Sequence, residues 1–187
     1  MADFAAARLT MVESQVRTQD VTDVRIQDAM RVLLRDDFVP ATRAFQAYAD
    51  LEVEYAPGRW LLKPRDVSKM LQALRPMPGE RALAISAPYA AAVMTAMGVE
   101  VLSIDADDAI PTGLFDIVVC EGAVTRAPAA WTAALALNGR LGVVERVGPV
   151  GQAGLYVRAG DSVGRRDLFD CFPPVLRGFE PVAGFAL

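Results

Sequence analysis

Apolar positions along the chain change period partway through. Over residues 5–17 they fall three and four apart, at Leu9, Val12 and Val16, and predict an amphipathic helix. A second helix is predicted from an N-cap at Thr22, with Asp23 in its first turn, to about Arg35. Its stripe is Val24, Ala29, Met30 and Leu33. Phe38-Val39-Pro40 ends it, because proline cannot continue the hydrogen-bond ladder. Residues 41–60 read as irregular, with short extended pieces and a turn at Pro57-Gly58. Pro64 then opens a helix to Leu74.

Beyond Pro78-Gly79 the apolar residues come in short runs. Residues 82–86, 99–104, 115–120 and 140–147 read as strands, with helices over 90–97 and 128–137 and a turn at Asn138-Gly139. Two further strands, 155–158 and 166–172, are joined by a polar turn over 160–164 and predict an antiparallel edge hairpin. The alternation predicts an α/β fold, a mostly parallel sheet covered on both faces. Residues 1–75 form a helical N-terminal extension and 76–187 the sheet. Together they make one compact domain, since 187 residues suit a single core.

Composition narrows the function. The hydrophobic share of 53% and mean hydropathy of +0.26 argue against disorder. Nineteen Lys and Arg against 23 Asp and Glu give a net charge of -4, no footprint for nucleic acid or an anionic membrane. No apolar run reaches the roughly 18 residues of a membrane span. Met1-Ala2-Asp3-Phe4 begins with an acid and leads into no apolar core, so no secretion signal is expected. Two cysteines, Cys120 and Cys171, are too few for a disulfide framework or a zinc cage, and a cytoplasmic location follows as the expectation. The sequence has no histidine, which excludes Ser-His and Cys-His nucleophile pairs and most zinc sites. Asp36-Asp37 shows no partners for a metal, and none is expected. Arg17 with Arg25, and Arg165-Arg166, could grip an anion but read first as solvated charges.

A set of ordered segments carries a family resemblance. Met11-Val12-Glu13-Ser14-Gln15-Val16-Arg17 with Val21-Thr22-Asp23, Asp37-Phe38-Val39-Pro40, and Pro78-Gly79-Glu80-Arg81-Ala82-Leu83 fall in the N-terminal half. Phe115-Asp116-Ile117-Val118-Val119-Cys120-Glu121-Gly122-Ala123, Asn138-Gly139-Arg140-Leu141, Leu168-Phe169-Asp170 and Leu176-Arg177-Gly178-Phe179 follow. In order and spacing they resemble bacterial protein-L-isoaspartate O-methyltransferases over nearly the whole length. The resemblance implies a Rossmann-like class I methyltransferase fold. It also implies methyl transfer from S-adenosylmethionine to the side carboxylate of isoaspartyl residues, in protein repair.

The sequence departs from the family where that chemistry sits. In place of an acid and a Gly-x-Gly-x-Gly turn stands Ala84-Ile85-Ser86-Ala87-Pro88-Tyr89, without glycine and with Pro88 removing a backbone donor. Only residues 105–114 separate the second sheet strand from Phe115. Ten extended residues reach about 33 Å, enough to return along a strand but not to hold a further helix and strand. The family's third strand region is therefore missing, at an edge the sheet can lose. Leu62 stands where the resemblance places a catalytic serine, and no catalytic residue is assigned. Trp60 replaces a threonine and could be an aromatic platform or pack against the first helices. Ser86, Asp105 and Glu121 remain as vestiges of cofactor contacts, and Cys120 reads as a core thiol.

These losses favour a pseudoenzyme, a methyltransferase fold kept as a binding, scaffolding or regulatory module with no cofactor expected. The alternative is an active S-adenosylmethionine-dependent protein-L-isoaspartate carboxyl methyltransferase with a remodelled pocket. Removing an edge strand should also bare apolar surface near residues 99–104, inviting a homodimer or a protein partner.

Overall fold

A computed structural model describes residues 4–181. Met1-Ala2-Asp3, on which the reading of the N-terminus rests, lie outside the described residues. Helix α1 (Phe4–Met11) passes into a wide turn over Val12–Val16 and a tight one over Arg17–Gln19. The change of winding turns Met11, Val12 and Val16 into the core and leaves Leu9 half exposed, against the expected stripe. Helix α2 (Val24–Val32) is capped by Asp23, whose carboxylate accepts from Arg25 N, rather than by Thr22. The cap lies one residue later than expected, so Ile26, Ala29 and Met30 are buried while Val24 faces solvent.

Strands β1 (Val53–Ala56) and β2 (Arg59–Leu61) form a small hairpin about Pro57-Gly58, and α3 (Pro64–Leu74) follows as the sequence predicts. The remaining elements are β3 (Arg81–Ile85), α4 (Pro88–Ala96), β4 (Glu100–Ile104), β5 (Phe115–Val124), α5 (Ala129–Ala133), β6 (Leu135–Val147), β7 (Val150–Ala159) and β8 (Ser162–Asp170). Their sheet runs β4-β3-β5-β6-β7-β8, parallel through β6 and antiparallel from there to β8. The expected helix over 128–137 stops at Ala133. Leu135 pairs with Phe115 and is fully buried, so strand pairing outweighs the helical preference of the alanines. Asn138, at φ 62°, sits where the β5–β6 register shifts, a bulge within β6 rather than a helix-to-strand turn.

The N-terminal elements, α3 and α4 pack on one sheet face, where Met30, Leu61, Leu62, Met70 and Leu71 share a core with Ile117 and Val119. The other face holds Leu83, Ile85, Val118, Leu141 and Val143 beneath α5, Leu176 and the 105–114 connection, which contributes Ala106 and Ile110. β4 is the edge, as expected from the short connection over 105–114. The apolar surface expected there is present in part: Leu102 is 40% and Leu114 52% exposed, while Val99 is buried. Among the described residues no helix is long and apolar enough to cross a membrane.

Asp66, in the first turn of α3, is buried with Oδ2 lacking a hydrogen-bond partner. Burial pushes its carboxyl up to about 6, against the pull of Arg65 and Lys63. The folded state therefore holds this proton more tightly than the unfolded chain. Stability is lost as pH rises from the ordinary aspartate value near 3.8 through about 6. Asp66→Asn should remove that loss, gaining about 3 kcal/mol over the parent at pH 8 relative to pH 4. Urea unfolding of both proteins at the two pH values measures it; a gap that does not grow with pH would refute it.

Candidate functional site

The carboxyl ends of β3 and β4 bring Ser86 and Asp105 together. Ser86 Oγ donates to Asp105 Oδ2 at 3.3 Å and accepts from Ala106 N at 2.8 Å. Ser86 sits at φ 44°, a left-handed conformation an L residue adopts at a cost of about 1–2 kcal/mol. Asp105 also accepts from Asp107 N, and its own amide donates to Asp108. The loop is therefore held by its own acids.

Arg59, to which sequence reasoning gave no role, holds this corner. It projects from β2, is 3% exposed, and grips Asp105 through Nε at 3.0 Å and Nη2 at 2.6 Å. Nη2 also donates to Asp107 at 2.7 Å, and Nη1 donates to the carbonyls of Gly58 and Arg177. The Arg59 guanidinium holds the Asp105 carboxyl well below the usual range, and the Asp107 amide adds to it. The signal available in the sequence was an arginine at a hairpin turn and three acids, Asp105, Asp107 and Asp108, with no assigned counter-charge.

Residues 173–179 close over the same end of the sheet. Leu176 N donates to Ala123 O and Arg177 N to Gly58 O. The approach is tight: a Cβ on Gly122, at φ 104°, would lie 2.5 Å from Leu176 Cδ2. Leu176 is fully buried.

Glu121 does not join Ser86 and Asp105. Fully buried in β5, its Oε2 accepts from Tyr89 N and Ala90 N at 3.2 and 3.4 Å, in the first turn of α4. A helix N-terminus offers donors and a partial positive charge to an anion, and here the chain supplies that anion itself. Burial pushes Glu121 up to about 7, opposed by the charge of Arg35 and by those amides. Arg35, another residue the sequence did not single out, is fully buried 4.4 Å over the Tyr89 ring and donates to the carbonyls of Ala47 and Leu62. Burial lowers its affinity for the proton, and Tyr89 and Glu121 oppose that.

The remaining candidates settle into structural roles. Leu62 is fully buried, and Trp60 packs on the cluster beneath the 105–114 connection, not on the first helices. That is a correction, and its cause is pleating: Leu61 faces inward from β2, so Trp60 faces the other way. Cys120 is fully buried, and burial pushes its thiol up, as for a core thiol. Arg17 pairs with Glu13, Arg25 with Asp23, and Arg165 with Glu145 and Asp167. Asp36 accepts from the Tyr48 hydroxyl, and no cluster of three metal-ligating side chains occurs among the described residues.

These contacts engage groups that the resemblance assigns to S-adenosylmethionine. The carboxylate that the resemblance assigns to its ribose is bound by Arg59, and the first-strand turn has no glycine for close approach. The nearby helix terminus is occupied by Glu121.

No protein-family model matches the sequence. Curated proteins do. A protein-L-isoaspartate O-methyltransferase of Methylorubrum extorquens is 34% identical over 209 positions, covering 94% of this chain and 91% of the relative. One of Methylorubrum populi is 32% identical, covering 92% and 96%. The 209 aligned positions outnumber the 187 residues here, so the relative carries residues with no counterpart in this chain. Among solved structures, a Plasmodium falciparum protein-L-isoaspartate O-methyltransferase in complex with S-adenosyl-L-homocysteine superposes with a TM-score of 0.72 at 17% identity. It covers 91% of this chain and 98% of that one, and at this identity it speaks for the fold. With a Rossmann-like sheet of that kind, and relatives at 32–34% identity along nearly its whole length, the chain belongs to the protein-L-isoaspartate O-methyltransferase family.

Proposed function

We propose that this chain is a family member in which Arg59 has taken the place of the cofactor's nucleoside, leaving a methyltransferase fold that binds rather than catalyses. The observation that carries it is the two-pronged Arg59–Asp105 pair, closed by Asp107 and the Arg177 carbonyl. A ligand hydroxyl would have to displace a charge-assisted contact with both partners already in place. Leu62 at the family's serine position offers no hydroxyl to the reaction.

The second reading is an active S-adenosylmethionine-dependent protein-L-isoaspartate methyltransferase with a rebuilt pocket. It is favoured by the relatives, which bear that name over nearly the whole alignment. The comparisons support this reading more directly; the geometry of the strand ends supports the first.

Thermal unfolding with S-adenosyl-L-homocysteine separates them. A ligand at about 100 times its Kd stabilises the fold by about 2.7 kcal/mol, a readily measured rise in Tm. No rise at millimolar ligand is expected. A rise, together with methyl transfer to an isoaspartyl peptide, would overturn the non-catalytic reading.

A further inference from the structure

At the far end of α3 from Leu62, a cleft of about 660 Å³ opens between residues 19–25, the second half of α3 and β8. Its charge runs against that of the chain. Arg25, Lys69, Arg75 and Arg166 line it with only Asp20 and Asp23, in a protein of net charge -4. Arg25 is engaged by Asp23, at 2.6 Å. Among the described residues, Lys69, Arg75 and Arg166 enter no ion pair. Lys69 Nζ instead lies 4.5 Å over the Phe169 ring, which with Leu168 and Met77 gives the cleft an apolar lining.

Backbone geometry points the same way. Arg75 caps the C-terminus of α3 at φ 50°, a left-handed position that glycine fills most easily. An arginine there lowers stability relative to glycine while adding a cation to the cleft. Six residues along α3 set Lys69 and Arg75 about 9 Å apart, near the span of three residues of extended chain.

We propose that this cleft binds an acidic, extended peptide segment of another protein. Its carboxylates meet Lys69, Arg75 and Arg166, and its apolar side chains lie on Leu168, Phe169 and Met77. Cations spread around apolar side chains suit an extended chain that carries acidic residues three apart, with apolar ones between, better than a single small anion. The proposal does not depend on whether the strand-end site is catalytic.

The test is fluorescence anisotropy of the full chain with a labelled ten-residue peptide of the repeat Glu-Glu-Leu, against one of the repeat Lys-Lys-Leu. Micromolar binding of the acidic peptide alone is expected, weakening with salt. Lys69→Glu with Arg166→Glu should weaken it by about tenfold or more, whereas Arg126→Glu, outside the cleft, should leave it unchanged. Arg75→Gly should weaken binding yet raise Tm, opposite signs that a merely structural arginine would not produce. Absence of binding, equal binding of both peptides, or equal weakening by Arg126→Glu would overturn the proposal.

Discussion

Replacing Arg35 by methionine is expected to destabilise the protein by about 3–5 kcal/mol, although the new side chain fills much of the same space. The guanidinium is fully buried, so its loss leaves the Ala47 and Leu62 carbonyls without these donors and Glu121 without its counter-charge. Glu121 should then hold its proton to still higher pH. Because its folded-state value already lies above the ordinary one, its contribution is full at acid pH and fades as pH rises through about 7. The Arg35→Met defect should accordingly deepen between pH 5 and 8. Adding Glu121→Gln should recover part of the loss, with a coupling of about 2 kcal/mol in a double-mutant cycle by urea unfolding at pH 8. Strict additivity of the two changes would show that they do not interact.

The second large effect is expected at Arg59. Arg59→Ala should cost about 2–3 kcal/mol, less than Arg35→Met because Asp105 and Asp107 are exposed enough to rehydrate. The pair depresses the Asp105 carboxyl, so its contribution is present above the ordinary aspartate value and lost as pH falls below it. The gap between parent and variant should therefore narrow below about pH 4. One guanidinium ties the hairpin, the 105–108 loop and the segment near Arg177, so all three should become quicker to cut in limited proteolysis. Arg59→Lys should rescue little, since a point charge cannot replace a planar fork with five donors. Unchanged proteolysis and stability in Arg59→Ala would contradict this account of the closed corner.

The alternation of apolar runs and helices made the mostly parallel sheet and its antiparallel edge hairpin legible in the sequence, and the shortfall between Asp105 and Phe115 located its bare edge. Local patterns did less well where tertiary pairing decides. Leu135 belongs to β6 because Phe115 pairs with it, a contact 20 residues away that the alanine-rich window cannot register. The departures from the family at the strand ends were legible from Leu62, Ala84 and Pro88. The arginine that closes this corner was not. Arg59 and Asp105 lie 46 positions apart and meet only because the hairpin folds over the strand ends. Arg35 reads in sequence as a helix-end cation, since solvent is the ordinary place for one, and only the packing of Tyr89 and Glu121 around it shows otherwise.

The two margins of the sheet differ in how they meet other chains. β8 is exposed but carries Arg165, Arg166 and Asp167, and the register shifts where it pairs with Ala153 and Gly154, both of which discourage a neighbour from adding on. β4 is shorter and has Glu100 as its one charge, with Leu102 turned outward. If β4 is exposed during refolding, it should act as a template for edge-to-edge association. An edge harmless in the finished fold would then burden the folding chain, and refolding yield should fall as protein concentration rises.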